Sequence, residues 1–213
     1  DSGSGETMSE NTVAIRNCID RLKAGDQDVR GQLIQIAYDR LQRMAKKMKR
    51  DYDRLNRWEQ TDDILQNASL RLYDALSQVE IADERHFYRL AALQLRRELI
   101  DMCRHYHGPQ GMGANHQTQY RPQNDGESAA PPPAYDRAEV TADPQQMQRW
   151  GEFHQSVEDL PDREREVFDL LWYHDLSQDE VAELLGVSTR QVKRIWRSAK
   201  LRLHEKLQGE SPL

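Results

Sequence analysis

Apolar residues recur at three- and four-residue spacing along most of the chain, the period that lays one stripe down an α-helix. From Val13 to Lys23, the residues Ile15, Cys18, Ile19 and Leu22 share one side. From Asp28 to about Asp51 the inward positions are Val29, Leu33, Ile36, Leu41, Met44 and Met48. A third helix begins at a Thr61 cap and turns Ile64, Leu65, Ala68, Leu72, Ala75, Leu76 and Val79 inward. A fourth begins at Asp83 and runs to about Tyr106, with Phe87, Ala91, Leu95, Leu99 and Met102 inward. Farther on, Asp143-Pro144 opens a helix through Met147, Trp150 and Val157. Pro161 opens another that buries Val167, Phe168 and Leu171. Few β-rich runs occur, so the pattern predicts an all-α fold.

The segment from Leu176 to Leu203 carries the sharpest local signals. Ser177 and Glu180 form an S-x-x-E capping box, and Val181, Leu184 and Leu185 give the helix after it an apolar face. Gly186 can take the left-handed conformation that stops this helix. Ser188 and Gln191 repeat the cap, and Val192, Ile195, Trp196, Ala199 and Leu203 line the inner face of the second helix. Such spacing predicts a helix-turn-helix whose second helix enters the major groove of DNA. Its candidate contacts are Ser188, Thr189, Arg190, Lys193, Arg194 and Arg197. An amphipathic hairpin with a merely solvated cationic face would look similar. Two successive caps, the Ala182–Gly186–Val192–Ile195 spacing and seven bases against one acid between Arg190 and Lys206 favour DNA.

Between about His107 and Ala142 the helical period disappears into a stretch rich in Gly, Pro, Asn and Gln. Too little apolar surface is present there to offset ordering, so it reads as a flexible linker. The chain divides into 1–7, which reads as a vector remnant, a helical domain 8–107, the linker 108–142, and the helix-turn-helix domain 143–213. The free protein is expected to be compact or flexible, with the two domains closer together than when in use.

Composition refines the picture. Charged residues are 31% of the chain, and it lacks an apolar run of the ~18 residues that a membrane span needs. With no visible secretory signal, a soluble cytoplasmic protein is expected. Cys18 and Cys103 each fall on an apolar stripe and read as buried thiols, neither a disulfide nor a metal site. The net charge of −6 is unevenly spread. Residues 40 to 57 hold eight bases (Arg40, Arg43, Lys46, Lys47, Lys49, Arg50, Arg54, Arg57) against two acids, and Trp58 beside them is a possible DNA contact or a loop-packing residue. Acid collects at Asp62–Asp63 and Glu158–Glu166, as suits a protein that touches phosphates with some surfaces and a basic partner with others. No catalytic constellation, metal site or cofactor motif is found. His105 and His107 have no Cys or carboxylate at ligand spacing, and adjacent Asp62 and Asp63 diverge by about 100° on a helix.

Three blocks resemble a known family. Asp62-Asp63-Ile64-Leu65-Gln66-Asn67 with Leu70-Arg71-Leu72-Tyr73 is similar to the A-E-D-L-V-Q-E…L-R-L-W stretch of bacterial sigma factors. His86-Phe87-Tyr88-Arg89-Leu90-Ala91-Ala92, ending Ile100-Asp101-Met102-Cys103-Arg104, resembles the next block, and Leu160-Pro161 to Val167-Phe168 resembles the one before the family's helix-turn-helix. With only two domains, the chain resembles the extracytoplasmic-function (ECF) group. Gln94 replaces the family's usual Asn, Thr189–Arg197 departs from the commoner recognition helix, and the linker is longer and richer in proline. The resemblance implies a non-enzymatic subunit that binds core RNA polymerase and promoter DNA, with an anti-sigma factor as a further partner it allows. Asp62, Asp63, Leu65, Gln66 and Asn67, with Leu70, would meet polymerase. Arg85, His86, Tyr88, Arg89, Arg96 and Arg97 would hold the −10 strand, and the helix-turn-helix would read the −35 element. Phe87 and Tyr88 read equally well as core residues. Two rivals stay open: a helix-turn-helix regulator that is no polymerase subunit, and an interaction protein that sequesters one.

Overall fold

The computed structural model describes residues 4–51, 61–107 and 144–208. Eight helices and no strand occur among them: α1 (Ser4–Lys23), α2 (Val29–Asp51), α3 (Thr61–Gln78), α4 (Glu84–His107), α5 (Pro144–Glu158), α6 (Asp162–Phe168), α7 (Gln178–Leu185) and α8 (Thr189–Lys206). α6 runs on as a π-helical turn, Asp169–Tyr173, closed by the His174 amide donating to the Asp169 carbonyl at 3.1 Å. The expected all-α architecture is the one found. Residues 52–60 and 108–143, which include Arg54, Arg57, Trp58 and the linker, lie outside the described residues.

Helix boundaries follow local chemistry. The Asp83 carboxylate accepts from the His86 amide at 2.7 Å and starts α4. Ser177 and Glu180 complete the capping box of α7 in both directions, at 3.3 and 2.7 Å. Gly186 ends α7 at φ 63°, a left-handed conformation that a side chain would strain. Ser188 Oγ then accepts from the Gln191 amide and opens α8. At the other end α1 begins at Ser4, ahead of the expected Val13. Once a helix is nucleated, each added polar residue still gains a backbone bond, and no apolar stripe is needed to extend it.

Most stripes bury as expected: Ile15, Cys18, Ile19, Val29, Leu33, Ala68, Leu72, Leu76, Trp150, Val157, Val167 and Phe168 are all buried. Leu41, Met44, Met48 and Ile64 have side chains outside the described set. Val79 lies beyond the end of α3 and is exposed, because the helix stops one residue before it. Leu171 is only half-buried. The π turn takes more residues per turn than an α-helix, which shifts the inward phase onto Leu170 and Tyr173.

α4 is the centre of the fold and packs against α1, α3, α5 and the π turn. One core joins Leu65, Ala68, Ala92, Leu95, Leu99 and Cys103 to Trp150, Phe153, Val157, Leu160, Phe168 and Tyr173. A second joins Ile15, Leu33, Leu72, Phe87 and Ala91 to Val167, Leu170, Leu176, Val181 and Val192. Each core therefore draws on helices from before and after residues 108–142.

Candidate nucleic-acid and polymerase interface

α8 is amphipathic because Val192, Ile195, Ala199 and Leu203 repeat at three and four residues, and all four are buried. Trp196 is half-buried against Phe168, with ring centroids 5.2 Å apart, and Lys200 Nζ lies 5.4 Å from the centre of its ring. The inner face holds the helix, which leaves Arg190, Lys193, Arg194 and Arg197 exposed on the outer one. Ser188 is engaged in the cap, and Thr189 Oγ1 donates to Asp179 Oδ1 at 2.7 Å, tying α8 to α7. A row of exposed cations on a well-anchored helix is suited to phosphates and base edges.

α3 presents a different surface. Gln66, Leu70 and Tyr73 are exposed at i, i+4 and i+7, and Asp62 stands one register step before them. Leu70 is 58% exposed, an unusual position for a large apolar side chain. Gln66 also lines a cleft of about 350 Å³ with Ile34, Gln35, Tyr38 and Ser69. Asn67 donates to Glu98 Oε1 at 3.0 Å. Leu65, expected at the polymerase contact, is 1% exposed and belongs to the core, because it falls on the opposite stripe from Leu70. The side chains of Asp62 and Asp63 lie outside the described set.

The six α4 residues expected at the −10 strand separate into three environments. Arg89 and Arg97 are exposed. His86 is half-buried, and its Nδ1 accepts from the Ala82 amide at 3.3 Å. Arg85 places its guanidinium on Glu166 of α6, with Nε and Nη2 donating at 2.8 to 2.9 Å. Tyr88 is a core residue and not an exposed stacking platform: its ring lies 4.8 Å from that of His174 and 5.5 Å from the Arg40 guanidinium. Burial raises the Tyr88 hydroxyl pKa.

Arg96 is buried as well. Nη1 donates to Asp169 Oδ1 at 2.5 Å, and the guanidinium lies 5.4 Å from the centre of the Tyr173 ring. The Tyr173 hydroxyl accepts from Arg96 and is 2.8 Å from His154 Nδ1, so a buried polar chain crosses from α4 to α5. Desolvation raises the Asp169 carboxyl to about 6, although the Arg96 charge pulls the other way. It holds His154 and His174 neutral, with pKa values lowered to about 3. His174 Nε2 donates to the Tyr88 carbonyl at 2.7 Å, and Arg40 donates to the His174 carbonyl at 3.2 Å.

Arg40 and this network escaped the sequence reading. Arg40, one of the eight bases between residues 40 and 57, is fully buried. The signal was its register: Val29, Leu33, Ala37 and Arg40 form one inward stripe, as do Ala92, Arg96 and Cys103. A long side chain at an apolar register position was the clue.

Among the described residues no group of three or more His, Cys, Asp or Glu could hold a metal ion, and no helix is long and apolar enough to cross a membrane. All-helical, and ending in a capped two-helix hairpin with an exposed row of cations, the molecule has the build of a protein that presents a basic helix. The family model described as ECF sigma factor matches residues 12–209, and the chain belongs to that family. It is a sigma factor, which works with RNA polymerase in promoter recognition and transcription initiation. No curated protein gives a significant match.

Proposed function

We propose a division of labour among three surfaces. α8 reads the −35 element through Arg190, Lys193, Arg194 and Arg197, with Ser188 and Thr189 at its N-terminus. The exposed Gln66, Asn67 and Leu70 of α3, with Asp62 and Asp63 of the same helix, meet core RNA polymerase. Arg85, His86, Arg89 and Arg97 of α4 engage the −10 strand. The observation that carries the reading is the set of exposed cations on a helix whose opposite face is fixed in the core. Residues 108–142 would act as the tether between the surfaces. Partnership with polymerase puts the protein in the cytoplasm, and an anti-sigma factor is a further partner that the family supports.

Run-off transcription from genomic fragments, with core enzyme and with or without this chain, tests the function directly. Combining Asp63→Lys with Gln66→Ala should weaken co-elution with core enzyme while helicity is kept. Truncating a buried, hydrogen-bonded interface charge costs about 2–5 kcal/mol. Unchanged co-elution would remove the α3 assignment.

A further inference from the structure

We propose that Glu98 of α4 is a positioning residue for the polymerase-binding face of α3. It turns the Asn67 side chain so that the carbonyl oxygen, not the NH2, is offered to the partner, and the face thereby selects an arginine or lysine of core RNA polymerase. The inference rests on the assignment of α3 to core enzyme and names the chemistry that Asn67 recognises there. Asn67 is exposed, whereas Glu98 is buried on the neighbouring helix. Asn67 Nδ2 donates to Glu98 Oε1 at 3.0 Å. An ionised carboxylate only accepts, so the side of the amide that meets it must be the NH2. Asn67 Oδ1 is left facing away from Glu98, as an acceptor.

Glu98 is itself held from α3. Arg71, about one turn after Asn67, brings Nε to Glu98 Oε2 at 3.0 Å and Nη2 to Asp101 Oδ2 at 2.8 Å. Both oxygens of Glu98 are therefore claimed, and its side chain is only 11% exposed. Rotating the carboxylate away from Asn67 would also break its pairing with Arg71, and a buried charge that loses a partner is costly. A cationic donor that meets the Asn67 oxygen gains a charge-assisted hydrogen bond, whereas a carboxylate or carbonyl of the partner finds only another acceptor. Asp62 and Asp63 precede Asn67 by about one turn of the same helix, which favours a basic partner there by charge as well.

Glu98→Gln tests this because it keeps the shape and reverses the polarity. Arg71 has only donors, so it claims the carbonyl oxygen of the new amide and leaves the new NH2 facing Asn67. Asn67 must then turn its own oxygen inward and offer NH2 to polymerase. The affinity of the full chain for core RNA polymerase, read from the anisotropy of a fluorescein label at its N-terminus, should fall about tenfold, the effect of one mismatched hydrogen bond at an interface. Adding Asn67→Asp restores the match. One oxygen of the new carboxylate accepts from the new NH2 and the other is offered to polymerase, so affinity should return to near the wild-type value. A merely structural role for Glu98 gives affinity that follows the urea midpoint of each variant, with no recovery on the second substitution. Wild-type affinity in Glu98→Gln, or no recovery on adding Asn67→Asp, would overturn the proposal. Unchanged affinity in Asn67→Ala would instead remove the assignment of Asn67 on which it rests.

Discussion

Lowering the pH from 7 to 5 should destabilise this protein, through two histidines. His154 and His174 are buried neutral, with pKa values lowered from 6.5 to about 3. His174 gives its Nε2 proton to the Tyr88 carbonyl, and its Nδ1 is buried without a partner. The cations of Arg40 and Arg96 disfavour a second proton there, as Arg96 does at His154. In the unfolded chain both rings bind a proton below about pH 6.5, whereas the folded chain refuses it down to about 3. Stability is therefore lost as pH falls through that window, by about 2 kcal/mol per ring between pH 7 and 5. Asp169 acts in the opposite sense. Its folded carboxyl is raised from 3.8 to about 6, so the folded state gains protons first on acidification. That returns about 1 kcal/mol over the same interval, leaving a net loss of roughly 2–3 kcal/mol. Urea denaturation followed by circular dichroism at fixed salt should show a lower midpoint at pH 5 with an unchanged slope. Replacing both rings, His154→Gln with His174→Gln, should abolish the loss even though the variant starts less stable. Equal stability of wild type at pH 5 and 7, or the full loss in the double variant, would refute the reasoning.

Other consequences follow from single contacts. Phe153 is fully buried among the rings of Trp150, His154, Phe168 and Trp172, at 5.2 to 6.1 Å, so Phe153→Ala should cost about 3–5 kcal/mol in urea denaturation. Ser177→Ala removes one half of the α7 capping box and should cost about 1 kcal/mol by the same measurement. Arg190→Ala and Lys193→Ala should weaken −35 binding. A residue that reads a base would relax preference at one position by about 1–3 kcal/mol, whereas one that touches only phosphate would lower the salt slope by about one. Binding titrations over a salt series distinguish these outcomes.

Amphipathic periods reveal one face of a helix, and for α1, α3 and α8 one face was sufficient. Their opposite sides are solvent, so the apolar stripe accounts for the packing. α4 is different. Phe87, Ala91, Leu95 and Leu99 mark its legible stripe, yet Tyr88, Ala92, Gln94, Arg96, Ile100 and Cys103 are buried as well. The second buried face belongs to α5 and the π turn, and nothing in the α4 sequence says what will cover it. The same limit applied at the site. Caps, turn glycine and the free cations of α8 are local features and were readable. Whether Arg85 and Arg96 meet solvent or a carboxylate depends on partners 81 and 73 positions away. Leu65 and Leu70 show the limit within one helix, since both matched the family block and only their register separates core from surface.

The cations of α8 and of α4 stand in different surroundings. Arg190, Lys193, Arg194 and Arg197 of α8 are exposed. Such cations collect mobile ions, and contact with phosphates would release them, so binding through α8 would be strongly salt-dependent. Arg85 and Arg96 of α4 are paired with fixed carboxylates. A phosphate arriving there would exchange one anion for another and release few ions, so binding through those two residues would depend far less on salt.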